Sequence, residues 1–369
     1  MKAWPVLGIV LMQALLSLAN WFIYRTWMDF WVPLGPAATV ALRAAILALS
    51  MSFIAAALLG FYYSNPLIKL LYKFAAVWLG ILNFFFLAAC LCWLTRLSVA
   101  LAGMEPNRPV IAGVLFSGAI VASVYGLLNA GWIRIRRVAV ALPNLPDSWR
   151  GRTGLLISDL HLGHVHGIRF CRRMVDLAAG LRPDIVFIPG DLFDGTEANS
   201  DRLAAPFREL AVPFGLYFSS GNHDEFGGAD HYGEVLARTG IRVLNNEMVV
   251  VDGLQIAGVS YGDSTYPIRF RTTLEALQLD HDKASILLSH VPNRLPMVEQ
   301  AGVSLQLSGH THGGQMFPFS WFTRRIFGKF TYGLQQFGAL QVYTSSGAGT
   351  WGPPMRVGTH SEIVLLQFE

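Results

Sequence analysis

Residues 215–224 read Gly-Leu-Tyr-Phe-Ser-Ser-Gly-Asn-His-Asp, a short β-rich run that ends in three polar side chains, Asn222, His223 and Asp224. An apolar run followed by Asp, Asn or His occurs five times after residue 150. The other four runs are 154–158 before Asp159 and His161, 184–189 before Asp191, 285–289 before His290, and 305–308 before His310 and His312. Helical stretches such as 168–180 and 292–301 lie between the runs, and this alternation predicts a layered α/β domain. Because ligands gather at the carboxyl ends of strands in such domains, we expect these side chains to converge.

The chemistry of the converging side chains favours a metal centre. Two Asp, four His and one Asn form a mixed oxygen and nitrogen set, which suits Mn, Fe or Zn rather than Ca. Seven ligands are too many for one catalytic ion, but they fit two divalent ions that share a bridging carboxylate. The spacings of Asp159 with His161 and of His310 with His312 predict that each pair lies on one face of a strand end.

The series Asp-x-His, Gly-Asp, Gly-Asn-His-Asp, a later His and Gly-His-x-His resembles the calcineurin-like metallophosphoesterase superfamily. The resemblance covers residues 153–369 and implies a four-layer fold in which two central mixed β-sheets are flanked by helices. It implies that Asp191 bridges two metal ions and that His223 lies near the substrate without binding metal, oriented by Asp224. The implied ligands are Asp159, His161, Asp191 and His312 for one ion, and Asp191, Asn222, His290 and His310 for the other.

Two further segments narrow the resemblance. Residues 309–315, Gly-His-Thr-His-Gly-Gly-Gln, and residues 346–356, followed by a strand at 362–368, are similar to the membrane-associated bacterial YkuE- or YaeI-like phosphoesterases. Related members cleave UDP-2,3-diacylglucosamine, so the resemblance implies a lipid-linked substrate. The neighbouring His164 and His166 are interpreted as loop residues, with substrate contact as the alternative. Asp194 is expected to cap the local turn or to hydrogen-bond to a metal ligand rather than to bind metal.

The first 133 residues have a different composition, with seven basic and two acidic residues and none of the ten His. The whole chain is 53% hydrophobic and 14% charged, whereas a soluble protein has about 25% charged residues. Four apolar runs, 4–24, 44–63, 74–94 and 110–132, reach the length of about 20 residues that a bilayer requires. We therefore predict an all-α transmembrane domain with four helices at 1–133; a set of buried core helices is the alternative.

The distribution of Lys and Arg predicts the orientation in the membrane. With four spans, the side that holds the C-terminal part carries six basic residues in short loops, against three or four on the other side. This bias favours the cytoplasm for that part. We predict a multi-pass protein of the inner (cytoplasmic) membrane, with a basic linker at 134–152 and a cytoplasmic catalytic domain at 153–369.

The charge balance also limits the partners. Residues after 133 carry 21 basic and 22 acidic side chains, so this part offers no broad basic surface to nucleic acid. The expected partners are the lipid bilayer and a phosphate-containing, lipid-linked substrate. Residues 316–332 are aromatic and basic and directly follow His312. They are an insertion packed on the domain, or part of its contact with the transmembrane half, or else a membrane-surface lip that accepts acyl chains while Arg324, Arg325 and Lys329 contact phosphates.

The predicted function is that of a membrane-anchored, metal-dependent phosphohydrolase acting on a phosphoester or pyrophosphate bond, with UDP-2,3-diacylglucosamine or a phospholipid as the implied type of substrate. His223 is expected to stabilise charge on the phosphoryl group or to protonate the leaving oxygen. A phosphodiesterase for soluble nucleotides is one alternative. A non-catalytic membrane sensor or scaffold is another, although such a protein is expected to have lost ligands that are all present here.

Overall fold

The computed structural model describes residues 3–31, 34–196, 199–226 and 229–369. The chain divides into two compact units. A helical unit comprises Met1–Leu128 together with Gly352–Met355, and a sheet unit comprises Asn129–Trp351 together with Arg356–Glu369. The boundary therefore falls a few residues before the predicted one at residue 133.

Four long apolar helices form the described part of the helical unit. They are α1 (Ala3–Phe30), α2 (Pro36–Gly60), α3 (Pro66–Leu101) and α4 (Arg108–Gly131). Proline occupies the first turn of α2 and α3, where its missing N–H costs no hydrogen bond, and the Asn65 side chain caps α3 by accepting from the amide of Ile68. Each helix is long and apolar enough to cross a membrane. The structure thus confirms the four predicted membrane-capable helices.

Small and polar side chains hold these helices together. The buried face of α3 includes Ala75, Ala76, Ala88 and Ala89, and such small residues allow close approach between apolar helices. The Trp93 indole N–H donates a 2.9 Å hydrogen bond to the hydroxyl of Thr26 on α1. Close contact and an interhelical hydrogen bond thus contribute to helix packing here, as is typical of helices with a membrane-spanning composition.

Two six-stranded mixed sheets form the centre of the sheet unit among its described residues. The first has the order β1 (Ile133–Val140), β12 (Ser361–Phe368), β2 (Thr153–Leu156), β3 (Ile185–Ile188), β4 (Leu216–Phe218), β5 (Ile241–Val243). The second has the order β10 (Gly333–Phe337), β11 (Leu340–Thr344), β9 (Leu305–Ser308), β8 (Ser285–Leu288), β7 (Leu254–Gly258), β6 (Glu247–Val251). Strands β2 to β5 are parallel, as are β7, β8, β9 and β11.

Shorter helices cover both sheets. They are α5 (Ile168–Leu181), α6 (Ser200–Ala204), α7 (Asn222–Phe226), α8 (Ala229–Ala237), α9 (Tyr261–Thr265), α10 (Pro267–Ala276), α11 (Leu295–Gln300) and α12 (Phe319–Phe327). Successive side chains of β3 point to opposite faces of the first sheet. Phe187 packs between the two sheets, whereas Val186 packs against Met174 of α5 on the outer face. Phe270 of α10 and Val298 of α11 pack on the second sheet. This arrangement confirms the predicted four-layer sandwich.

The predicted basic linker at 134–152 is wrong for its first part. Residues Ile133–Val140 form β1, which pairs in parallel with β12 from Ile133 opposite Ser361 to Val140 opposite Phe368. Apolar side chains alternate with Arg134 and Arg136, and the Arg136 guanidinium lies 3.9 Å from the carboxylate of Glu362 on the neighbouring strand. Helix α4 ends at Gly131, so Trp132 alone separates it from this sheet strand.

Candidate dinuclear metal site

The predicted ligands lie just after five strands, in loops or, for Asn222, in the first turn of α7, rather than on the strands themselves. Strand β2 ends at Leu156 and β9 ends at Ser308, before the first ligand of each pair. Five ligands have left-handed backbone conformations, with φ between 48° and 68°; they are Asp159, His161, Asp191, His310 and His312. The interpretation based on strand period is therefore wrong, although the side chains do converge. Such strained conformations cluster at functional sites.

One group of potential ligand atoms comes from Asp159, His161 and His312, all within 4.8 Å of one another. The Nε2 atoms of His161 and His312 lie 3.1 Å apart, and His312 Nε2 lies 3.5 Å from Asp159 Oδ1. All three residues are buried. The structure thus brings together three of the four ligands expected for the first ion.

Asp191 occupies the centre of the site. Its Oδ2 lies 3.7 Å from Nε2 of His161 and 3.2 Å from Nε2 of His290. Asn222 Oδ1 and His310 Nδ1 lie 3.1 Å apart, and the Asn222 side chain belongs to the same short helix as His223. Because Asp191 approaches ligands of both expected groups, its position fits a bridging carboxylate.

The donor set fits divalent metal ions. Asp159 Oδ2 and His290 Nε2 are buried and have no hydrogen-bond partner among the described residues. The other ring nitrogen of His290 lies 2.8 Å from the carbonyl oxygen of Pro189, which favours a proton on Nδ1 and directs Nε2 toward Asp191, where a metal ion would take the place of the Nε2 proton. Buried atoms of this kind are costly without a partner, and a metal ion would supply one.

Burial and neighbouring charges shift the pKa values in this cluster. Burial raises the pKa of Asp159 to about 6, whereas it lowers the pKa of His161 and His312. Burial acts against ionisation of Asp191 too, but the adjacent imidazole of His290 outweighs it and holds the pKa of this carboxyl below its usual range. His161 and His312 are therefore neutral at pH 7, as metal ligation requires.

The Gly-His-x-His loop needs its first glycine for close approach to the site. A Cβ atom on Gly309 would lie 2.1 Å from Asp159 Oδ2. The amide of His310, the next residue, donates a 2.9 Å hydrogen bond to Asp159 Oδ1. Only a residue without a side chain lets this loop contact the carboxylate so closely.

The predicted role of Asp224 as the orienting partner of His223 is wrong. The buried Asp224 carboxylate accepts hydrogen bonds from the backbone amides of Asp191, Gly221 and Phe193, at 2.7, 2.8 and 3.0 Å. It therefore fixes the loops that carry the ligands. A carboxylate that binds backbone amides leaves no side-chain signal in the sequence, which is why the motif alone did not reveal this role.

His223 is oriented instead by a backbone carbonyl. Its Nδ1 lies 3.0 Å from the carbonyl oxygen of Asp194, and its amide donates a 2.9 Å hydrogen bond to Asp191 Oδ1. Asp194 itself caps the local turn, as predicted, by accepting from the amide of Thr196 at 3.0 Å. His223 also offers a ring nitrogen within 4.8 Å of ligand atoms of His161 and Asp191. The structure therefore places His223 at the site.

Arg356 is a site residue to which the sequence analysis assigned no role. Its guanidinium is fully buried and donates to the carbonyl oxygens of His312, Ser346 and Gly349, at 3.1, 2.6 and 2.7 Å. One of its nitrogens also lies 3.3 Å from Nδ1 of His312. Arg356 thus connects the loop that carries His312 with the loop after β11.

The loop after β2 has a structural role, in agreement with the sequence interpretation of His166. The Nε2 of His166 accepts a 3.0 Å hydrogen bond from the amide of Thr350, and the Thr350 hydroxyl lies 2.9 Å from the same nitrogen. These contacts join the loop after β2 to the loop after β11.

Comparison with known proteins gives consistent matches to phosphoesterases. Residues 155–314 match the calcineurin-like phosphoesterase family. A Danio rerio transmembrane protein with metallophosphoesterase domain is 30% identical over 79% of this chain and 71% of its own length. An uncharacterized metallophosphoesterase from Aquifex aeolicus is 32% identical over 67% of this chain and 96% of its own length. The uncharacterized metallophosphoesterase YkuE from Bacillus subtilis is 29% identical over 69% of this chain and 93% of its own length.

Proposed function

This chain belongs to the calcineurin-like phosphoesterase family, and on that premise we propose that it is a membrane-anchored phosphohydrolase that uses two divalent metal ions, Mn, Fe or Zn. It hydrolyses a phosphoester or pyrophosphate bond in a lipid-linked substrate, such as UDP-2,3-diacylglucosamine or a phospholipid. The convergence of Asp159, His161, Asp191, His290 and His312 supports the metal chemistry. The exposed helix α12, next to this cluster, supports the lipid-linked substrate.

Different residues of the site are proposed to bind the metal ions and to act on the substrate. Asp159, His161, Asp191 and His312 would hold one ion, and Asp191, Asn222, His290 and His310 the other. Bound there, the ions supply Lewis acidity to the phosphoryl oxygens and lower the pKa of water so that hydroxide forms near neutral pH. His223, held through Nδ1 by the Asp194 carbonyl, keeps Nε2 available to stabilise phosphoryl charge or to give a proton to the leaving oxygen.

Helix α12 begins directly against the metal-binding loop. Gly314 has a φ of 84°, and a Cβ atom there would lie 2.3 Å from the Cα atom of Ser320 in α12. The ring of Phe327, near the other end of the helix, lies 6.2 Å from the ring of His310. A surface formed by α12 is therefore a neighbour of the site where the phosphoryl group would bind.

The outward side of α12 has the composition of an interfacial helix. Phe319, Phe322 and Ile326, at i, i+3 and i+7, are exposed, and Ile326 is 74% exposed. Trp321 is exposed as well, and Arg324 and Arg325 lie in the last turn. Aromatic and aliphatic side chains with adjacent Arg suit the boundary of an anionic bilayer. Since the same chain carries four membrane-capable helices, a bilayer is the surface that we propose α12 contacts.

We expect the variant Trp321→Ser/Phe322→Ser/Ile326→Ser to lose activity on lipid but not on small substrates. A large apolar side chain contributes about 1.5–3 kcal/mol when it is fully buried. Because an interfacial helix buries its side chains only in part, we expect the three together to contribute about that much, so the KM for a phosphatidate-containing vesicle should rise about 10- to 100-fold. Phosphate release from the vesicle, and hydrolysis of bis(p-nitrophenyl) phosphate in solution, both with Mn²⁺, measure the two effects.

The matched control for this variant is Ile268→Ser on α10, because Ile268 is 82% exposed in the same unit but outside α12. We expect it to behave as the unmodified protein on both substrates. An equal loss on vesicle and soluble substrate in the triple variant would show that α12 supports the fold, and the lipid-linked substrate would lose its structural support. If the protein hydrolyses cyclic nucleotides rapidly but does not hydrolyse lipid substrates, the alternative of a phosphodiesterase for soluble nucleotides would be favoured.

We further propose that the sheet unit lies in the cytoplasm at the inner membrane, on the basis of the Lys and Arg bias. A reporter that is active only outside the cytoplasm, fused after Glu369, is expected to stay silent, whereas a fluorescent protein at the same position should mature. Fusions after Ala102, in the loop that follows α3, should show the opposite pattern. Strong activity of the first reporter after Glu369 would reverse the orientation and exclude a cytoplasmic substrate.

A further inference from the structure

Two large aromatic side chains stand exposed beside His223. The ring of Phe226 lies 5.5 Å from the imidazole of His223, and the ring of Trp351 lies 6.0 Å from it. Phe226 is 68% exposed and Trp351 is 55% exposed. The His223 side chain that both rings contact is half-buried. Neither ring is needed to fill the core, so both are available to a ligand.

The backbone of Trp351 is held firmly despite its exposed ring. Its amide donates a 2.9 Å hydrogen bond to Gln315 Oε1, and its carbonyl oxygen accepts a 3.0 Å hydrogen bond from Gln315 Nε2. Gln315 closes the loop that carries His310 and His312, so the position of the indole is tied to the position of the metal ligands. Phe226 lies one helical turn after His223 in α7. A ligand would thus meet two aromatic residues whose backbones are held in place before it binds, which reduces the entropy lost on binding.

We propose that Phe226 and Trp351 form an aromatic subsite next to His223 that selects phosphoryl compounds carrying an aromatic ring on the group attached to phosphorus. This inference rests on the proposed function, because it places the phosphoryl group at the metal ions. His223 then faces the leaving oxygen, and the ring attached to that oxygen packs against Phe226 and Trp351. Offset-stacked and edge-to-face contacts between such rings add to the burial of apolar surface.

The test compares binding of phenylphosphonate and methylphosphonate to the full-length, Mn²⁺-loaded protein by calorimetry. These two compounds share the phosphoryl group and differ in the ring. We expect phenylphosphonate to bind at least about tenfold more tightly, and Trp351→Ala or Phe226→Ala to reduce that preference about 3- to 30-fold. The conservative variant Trp351→Phe should retain most of the preference, since it keeps an aromatic face.

Tyr266→Ala is the matched control, because Tyr266 is an exposed aromatic residue of the same unit whose ring contacts Arg269 rather than His223. It should leave the preference unchanged. Equal affinity of the unmodified protein for both phosphonates, no binding of either one, or an equal loss for both in Trp351→Ala would overturn the subsite.

Turnover of bis(p-nitrophenyl) phosphate by the same preparations separates the subsite from the proposed function. A protein that prefers phenylphosphonate through Trp351 but hydrolyses no phosphoester would retain the subsite and reject the phosphohydrolase. An active enzyme without any preference for the ring would reject the subsite alone.

Discussion

The variant Asp191→Ala is expected to lose phosphohydrolase activity by about 10³-fold or more and to lose most of its bound metal. Asp191 is the carboxylate whose Oδ2 approaches both His161 and His290, at 3.7 and 3.2 Å. Its other oxygen accepts from the amide of His223. Removing it takes the shared ligand from both ions and removes the one negative charge that lies next to both His161 and His290.

Elemental analysis of the purified variant, together with its phosphate-release rate, measures this effect. Asp280→Ala is the matched control, because Asp280 is a carboxylate of the same unit that pairs with Lys283 at 2.8 Å, in a contact with 44% and 53% exposed side chains. It should keep metal and activity. Circular dichroism should show a folded Asp191→Ala protein, since the sheets are held by apolar layers on both sides. Retention of two ions by Asp191→Ala would contradict the bridging position.

The residues that converge at the candidate metal site could be proposed from the sequence because their chemistry is carried by residue type. Five apolar runs that each end in Asp, Asn or His predict both strand ends and candidate ligands. The parallel strands of each sheet place their carboxyl ends side by side, and the two packed sheets bring the two sets of ends together. The backbone of the ligands was not predictable in the same way. Left-handed conformations at Asp159 and His310 depend on tight loops, which strand periodicity does not describe.

Strand β1 shows a second limit, which comes from non-local pairing. Arg134, Arg136 and Arg137 give the segment the appearance of a charged linker, and charges are uncommon in strands. The segment becomes a strand because Ser361–Phe368, at the far end of the chain, is available as a partner along its whole length. A pattern read over a short window cannot contain that partner. The hydrogen bonds from backbone amides to Asp224 could not be predicted either, because one of the donors, Asp191, is distant in the sequence.

The variant His223→Ala should lower kcat by about 10²- to 10⁴-fold, the range expected for a residue that stabilises charge or transfers a proton in the transition state. Metal content should stay unchanged, because all seven proposed ligands remain in this variant. The conservative variant His223→Gln keeps a hydrogen-bond donor at this position but cannot carry a proton as imidazole does. It should recover part of the activity if charge stabilisation dominates, and little of it if proton transfer dominates.

Leaving-group dependence separates the two roles of His223 further. If His223 protonates the leaving oxygen, an ester with a good leaving group, such as p-nitrophenol, needs that proton less than an alkyl ester does. His223→Ala should then slow hydrolysis of the alkyl ester more than hydrolysis of the p-nitrophenyl ester. If His223 only stabilises charge on the phosphoryl group, the substitution should slow both reactions equally. His281→Ala is the control, since His281 lies beside Gly302, away from the metal cluster. Loss of metal from His223→Ala would instead make this residue a ligand, as its distance of no more than 4.8 Å from the ligand atoms of His161 and Asp191 would allow.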